Sequence, residues 1–134
     1  MHRLVLANGC FDLLHVGHLR HLQEARSMGT LLVVGVTRDE GVGKGIGRPV
    51  IKDSDRLELI RGLQCVYEAE LCANSIEALE YWKPQVFVKG SEYEGKLLQE
   101  EVEYCKSNGI EIRFTKPSTI STTKIIERIK WTSS

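Results

Sequence analysis

The chain predicts a single three-layer α/β domain with a mainly parallel sheet, and three observations carry that prediction. Apolar runs suited to strands buried on both faces, Leu4-Val5-Leu6-Ala7, residues 30–37 and Val86-Phe87-Val88, alternate with helical patterns over the whole length. The first strand, helix and second strand fit within about 35 residues, a βαβ unit that demands a parallel pair and a right-handed crossover. No linker or internal repeat divides the 134 residues, so residues 1–134 read as one domain.

The elements follow in order. The run at residues 4–7 is bounded by Asn8-Gly9. Residues 17–28 should be helical, with Val16, Leu19, Leu22 and Ala25 as the apolar ridge and Gly29 as the stop. Residues 30–37 form the clearest strand, β-branched and apolar. Residues 38–52 change character: four glycines, one proline and four basic residues describe a loop. Asp53 or Ser54 should cap a helix through residue 63 that buries Leu57, Ile60 and Leu63. A short strand is expected at residues 65–67. Asn74 and Glu77 have the spacing of a capping box, and Pro84 ends that helix after Trp82-Lys83. After the strand at 86–88, residues 96–107 read as a helix with Leu97, Leu98, Val102 and Cys105 inside. Asn108-Gly109 closes it, and residues 110–114 give a last strand. A Ser/Thr-rich turn leads into a final helix, to about residue 131, that should bury Ile125, Ile126 and Ile129.

Composition narrows the classes of function. Eighteen basic residues balance eighteen acidic ones, so no global field would hold nucleic acid or an anionic membrane. No apolar stretch approaches the ~20 residues needed to span a bilayer, and no targeting segment is recognisable. Four cysteines without a CxxC pair or a leader read as reduced thiols in a cytoplasmic protein. Cys65 and Cys105 read as core filling. Cys10 sits in the first turn, where it would offer backbone N–H.

Ligands of open parallel sheets bind beyond the carboxyl ends of the strands, where strand order reverses. The polar signals follow that rule. Residues 8–18 follow the first strand, a Gly/Lys/Arg loop follows the second, Lys89-Gly90 follows a later one, and Ser121-Thr122-Thr123 follows the last. His15 and His18, one turn apart at a helix start, point the same way and can donate to phosphate oxygens. Gly17 between them would let a phosphate approach the backbone. His21 and His2 read as uninvolved. Zinc ligation by Cys10, His15, His18 and His21 has little support, because no second cluster exists; no metal ligand is assigned. Lys44 and Arg48 place positive charge on the loop over that site. Arg56 would reach the same anion from below or pair at the surface. Residues 121–123 offer hydroxyls and free N–H groups at a helix start, either as a second anion site or as a simple cap.

These residues also carry a resemblance. The stretch Gly9-Cys10-Phe11-Asp12-Leu13-Leu14-His15-Val16-Gly17-His18 resembles the first signature of the cytidylyltransferase-like nucleotidyltransferases. Ile120-Ser121-Thr122-Thr123-Lys124-Ile125 resembles their last. The resemblance implies a Rossmann-like fold of the HUP type, a nucleoside triphosphate carrying Mg²⁺, and a homodimer. By matching positions, Gly9, Cys10, Phe11, His15, Gly17 and His18 would contact the triphosphate. Lys44 would bridge nucleotide and acceptor phosphates, with Arg56, Ser121, Thr122 and Thr123 completing the clamp. Lys89 and Gly90 would border the base or the acceptor.

Two branches of the family compete. Glycerol-3-phosphate cytidylyltransferases share the length, the ending and a Glu94-Gly95-Lys96 segment, but carry Arg-Thr-Glu-Gly where this chain has Lys116-Pro117-Ser118-Thr119. The adenylyltransferase domain of ADP-heptose synthase is similar at residues 8–12, at Gly47-Arg48-Pro49-Val50, and at Val88-Lys89-Gly90 followed by an acid and Tyr93. That acid is usually Asp there and is Glu92 here; the acidic pair expected after the third strand's valine gives way to Val66-Tyr67-Glu68. The expected reaction is attack of an acceptor's phosphate oxygen on the α-phosphorus of ATP, with a heptose 1-phosphate-type sugar phosphate as acceptor. The alternative pairs CTP with glycerol 3-phosphate or another small phosphate or phosphonate. A non-catalytic nucleotide-binding module is the competing class. A fragment of an aminoacyl-tRNA synthetase would share HxGH but should also carry a Lys-Met-Ser-Lys-like loop, which is absent.

Overall fold

The computed structural model describes residues 2–132. Five strands, β1 (Leu4–Gly9), β2 (Leu31–Thr37), β3 (Glu68–Cys72), β4 (Val86–Lys89) and β5 (Glu111–Phe114), form one sheet in the order β3-β2-β1-β4-β5. Every pairing is parallel. The helices are α1 (Val16–Arg26), α2 (Asp53–Arg61), α3 (Ser75–Trp82), α4 (Gln99–Ser107) and α5 (Thr122–Thr132). The chain winds outward from β1 to β3, then returns to lay β4 against the other side of β1. Strand order therefore reverses at β1/β4, where a crevice opens at the carboxyl ends.

Alternate strand residues feed two cores. Val5, Ala7, Val34 and Val88 pack with Leu22 of α1 and Ile60 of α2 on one face. Leu6, Val33 and Phe87 pack with Leu79 of α3 and Cys105 of α4 on the other. Both faces of the central strands are covered, which is why they read as unbroken apolar runs. Leu6 and Phe87 are fully buried, and each such side chain contributes ~1.5–3 kcal/mol. Asn74 caps α3 as its spacing predicts, Oδ1 accepting from Glu77 N at 2.9 Å. Lys83, at φ +47, closes that helix ahead of Pro84.

Several boundaries differ from the sequence expectation. The third strand is Glu68–Cys72, not residues 65–67. Cys65 and Val66 instead pack against the core in the turn leaving α2, and pairing to β2 begins as Tyr67 N donates to Leu32 O. Helix α1 starts at Val16, which is exposed, so its ridge rests on Leu22 and Ala25. Lys52 precedes α2 without a side-chain cap, because Asp53 Oδ2 accepts from Asp39 N. Helix α4 begins at Gln99 and turns Glu101 and Cys105 inward, leaving Leu98 and Val102 exposed. On α5 only Thr122 is buried, and Ile129 is 56% exposed, since beyond its first turn the helix has no sheet or helix to cover it. All four cysteines are free; Cys105 and Cys72 are buried and Cys65 is half-buried. No helix among the described residues is long and apolar enough to cross a membrane.

Candidate active site

A cleft of about 520 Å³ opens at the β1/β4 reversal, within the usual range for a small-molecule site of about 300–1,000 Å³. The four segments singled out in the sequence all line it: the turn after β1, Lys44 of the glycine loop, Lys89-Gly90 at the end of β4, and residues 121–123 at the start of α5.

The turn after β1 is built under backbone constraint. Phe11 and Leu13 both hold left-handed conformations, with φ of 56° and 49°, which non-glycine residues rarely adopt and which concentrate at functional sites. Burial holds Phe11 there, its ring inside the α1/α2 core. Gly9 makes room for that ring, since a Cβ would stand 3.2 Å from it.

The two histidines cap α1. His15 Nδ1 accepts from Gly17 N at 3.0 Å, and His18 Nδ1 accepts from His15 N at 3.2 Å. An imidazole nitrogen that accepts cannot carry the proton, so these bonds assign the hydrogen of both rings to Nε2. The rings stack at 3.8 Å between centroids and 26° between planes. Burial, reinforced by the charges of His15, His21 and Lys44, pushes His18 down to about 4. Burial also lowers His15. Both are therefore neutral donors at pH 7. The amides of the helix start, expected to meet an anion directly, spend one N–H on His15. The positive end of α1 is relayed outward through the imidazoles instead. His15 Nε2 is buried and has no partner among the described residues. Gly17 serves this geometry before any ligand does: a Cβ there would lie 2.8 Å from His15 Cε1 and 2.9 Å from Ser118 Oγ.

Asp12 ties the site together, and the sequence reading gave it no role. Its side chain is 1% exposed. The carboxylate accepts from Val50 N at 2.8 Å, Ile51 N at 2.9 Å and Arg48 Nε at 3.4 Å. Its carbonyl accepts from Thr122 Oγ1 at 2.7 Å. One residue thus links the histidine turn, the Lys44 loop and α5. Burial would raise its carboxyl, but the Val50 and Ile51 amides and Arg48 outweigh that and hold it below the ordinary 3.8.

Two cations change role. Arg48 was expected beside Lys44 over an anion; instead it is drawn in against Asp12, its side chain 14% exposed. Arg56 was expected in the phosphate clamp, but it is 1% exposed and lies outside the cleft lining. Its guanidinium donates to Ile51 O, Cys10 O, Thr37 O and Asp39 Oδ1 at 2.7–2.9 Å. It braces three chain segments and has no donor left for a ligand. Lys44 remains exposed, on a loop whose Gly43, Gly45 and Gly47 take φ of 60°, 95° and 82°.

At α5, Ser121 Oγ accepts from Lys124 N at 3.1 Å, a helix cap, while Thr123 is exposed beside it. His21, read as uninvolved, lines the cleft with Nδ1 2.7 Å from Thr115 Oγ1. Its signal was present: it stands three residues after His18, the spacing that joins His15 to His18. Glu24 and Glu92 also line this side. Among the described residues no group of three or more His, Cys, Asp or Glu is arranged to hold a metal ion.

The cytidylyltransferase-like family pattern matches residues 6–128. The chain belongs to this family of nucleotidyltransferases. Among its relatives, the bifunctional protein HldE of Geotalea uraniireducens (strain Rf4) is 41% identical over 136 residues, covering 96% of this chain and 27% of that protein. HldE of Helicobacter pylori (strain HPAG1) is 39% identical over 140 residues, covering 97% and 28%. The chain thus spans little more than a quarter of the length of these relatives. The lipopolysaccharide core biosynthesis protein from Thermoplasma volcanium GSS1 superimposes with a TM-score of 0.74 at 30% identity, covering 88% of this chain and 99% of that one. A nicotinate-nucleotide adenylyltransferase from Vibrio parahaemolyticus, at TM-score 0.60 and 13% identity over 98% and 89%, shares the Rossmann-like fold.

Proposed function

We propose that this chain transfers an adenylyl group from ATP to a heptose 1-phosphate-type sugar phosphate, releasing pyrophosphate. The observation that carries the reading is the tautomer-locked pair, His15 and His18, which presents two Nε2–H donors to the cleft. Donors fixed in place before reaction favour charge that develops on phosphate oxygens, and being neutral they are hydrogen-bond stabilisers rather than acids. A phosphate oxygen of the acceptor forms the new bond to the α-phosphorus as the bond to the bridging α–β oxygen breaks. The electron pair leaves with pyrophosphate, whose charge His15, His18, Lys44 and the start of α5 stabilise. Positioning of the two substrates supplies the rest. Asp12 is saturated by its own donors, so magnesium belongs with the triphosphate as part of the substrate. The family resemblance further implies a homodimer.

The choice of acceptor rests on the resemblance to the ADP-heptose synthase domain. The series of relatives named HldE and the lipopolysaccharide core biosynthesis protein support it. The Glu94-Gly95-Lys96 segment and the ending at residues 120–125 favour a second reading, CTP with glycerol 3-phosphate. Pyrophosphate release across a grid of four triphosphates and a panel of sugar, polyol and phosphonate acceptors separates them. Release with ATP and heptose 1-phosphate is expected. Release with CTP and glycerol 3-phosphate would move the substrate to the second reading, and no release with any pair would leave a nucleotide-binding module.

A further inference from the structure

On the α3/α4 side of the sheet, behind the cleft, lies a charged cluster that the reading above does not use. Lys89 ends β4 two residues after Phe87, which packs in the α3/α4 core. Its side chain is 12% exposed, and its Nζ sits 4.3 Å from the Tyr93 ring centroid and 3.8 Å from Glu101 Oε2. Glu101, on α4, is 3% exposed. Its two oxygens are already held: Oε1 accepts from Leu98 N at 3.0 Å and Oε2 from Ser75 Oγ at 2.6 Å.

The distances define an unusual division of labour. At 3.8 Å the carboxylate attracts the ammonium but lies beyond hydrogen-bond range. Lys89 Nζ donates no hydrogen bond among the described residues, so its three N–H groups remain available at the cleft. Without a counter-ion, a nearly buried ammonium is costly and its flexible stem carries it back to water. Capping of α4 explains the bond from Leu98 N, but not why the second oxygen is pinned by Ser75 beside Lys89.

From this juxtaposition we infer that Glu101 is a positioning residue, holding the Lys89 ammonium ready for an anionic oxygen of the substrate while leaving its donors unclaimed. Ser75 fixes the carboxylate, and the Tyr93 ring flanks the ammonium. The inference rests on the cleft being a phosphate site, and not on which nucleotide or acceptor enters it.

A double-mutant cycle on Lys89→Ala and Glu101→Gln tests it, read by calorimetric titration with inorganic pyrophosphate, MgATP and MgCTP. Lys89→Ala should weaken binding of at least one titrant by about tenfold, and Glu101→Gln should weaken the same one roughly threefold to tenfold. In the Lys89→Ala background Glu101→Gln should add nothing, because a residue acting through Lys89 has no further effect once it is gone. Ser75→Ala, a milder change, should weaken the same titrant in the same direction. Equal losses in both backgrounds would make Glu101 merely structural and overturn the inference. So would wild-type affinity or tighter binding in Glu101→Gln, or a wild type that binds none of the three titrants. Because the cycle reads binding, it stands apart from the substrate grid: a chain that binds these anions but releases no pyrophosphate refutes nucleotidyl transfer without touching Glu101.

Discussion

Replacing Asp12 by Asn keeps the shape of the side chain and removes the charge that anchors the Lys44 loop. The native carboxylate accepts from the amides of Val50 and Ile51 at 2.8 and 2.9 Å. Hydrogen bonds to a charged group contribute ~1.5–3 kcal/mol each, against ~1 kcal/mol for a neutral one. Asn can retain one of the two as a neutral bond, and must turn its NH₂ toward the other amide, donor against donor. Arg48 loses its counter-ion as well. The loop anchor should therefore weaken by ~2–4 kcal/mol. At ~1.4 kcal/mol per factor of ten, that is a roughly 30- to 1,000-fold rise in the open population. Hydrogen exchange at the Val50 and Ile51 amides reads that population directly. Both should exchange faster by this factor in Asp12→Asn, while amides of the central strand residues Leu6 and Val34 change far less. Rates within about threefold of wild type at Val50 and Ile51 would refute the anchoring role. The same linkage has a pH form. Asp12 is held below 3.8 in the folded chain, so the anchor is complete above that value and is lost as pH falls through the lowered one.

Further outcomes follow from the same geometry. His18 titrates near 4 instead of its ordinary 6.5, so the unfolded chain binds the proton first; His18's contribution to stability should fall as pH drops from about 6.5 to about 4 and level off below, and histidine NMR titration checks the value, with a midpoint near 6.5 counting against a neutral pair. Gly17→Ala puts a methyl 2.8 Å from the His15 ring; it should cost about 1–3 kcal/mol in urea denaturation and lower turnover tenfold or more, and unchanged turnover would show that the ring seat is unimportant. Arg56→Met should cost about 3–5 kcal/mol of stability, because Asp39 loses a partner and three carbonyls lose a donor; where the variant still folds, its affinity for MgATP should stay close to wild type, and a selective loss of affinity would return Arg56 to the clamp.

The central strands were legible because burial on both faces leaves no polar residue in Leu4 to Ala7 or Leu31 to Val36. The histidine pair was legible because its i, i+3 spacing fixes a common direction. Other features depend on contacts that spacing does not encode. Asp12 and Val50 lie 38 residues apart, so nothing local distinguishes an anchoring aspartate from a solvated one. Arg56 carries the same charge whether it meets a phosphate or four protein oxygens; only the path of residues 37–51 around it decides. Glu101 looks like an exposed position in an acidic run, Gln99-Glu100-Glu101, and helix α4 read three residues too early turned the wrong side inward. The third strand was misplaced because Cys65-Val66 is apolar for packing under α2, whereas Glu68–Cys72, at the sheet edge, alternates with polar residues.

The central claim is that His15 and His18 stabilise reacting phosphates without being needed to hold the nucleotide. It is tested most directly by measuring turnover and triphosphate affinity together in wild type and His18→Ala, using the substrate pair found active in the grid. The account predicts turnover lower by about 10²-fold or more with the triphosphate dissociation constant within about threefold of wild type. Unchanged turnover, or a loss confined to affinity, would contradict it.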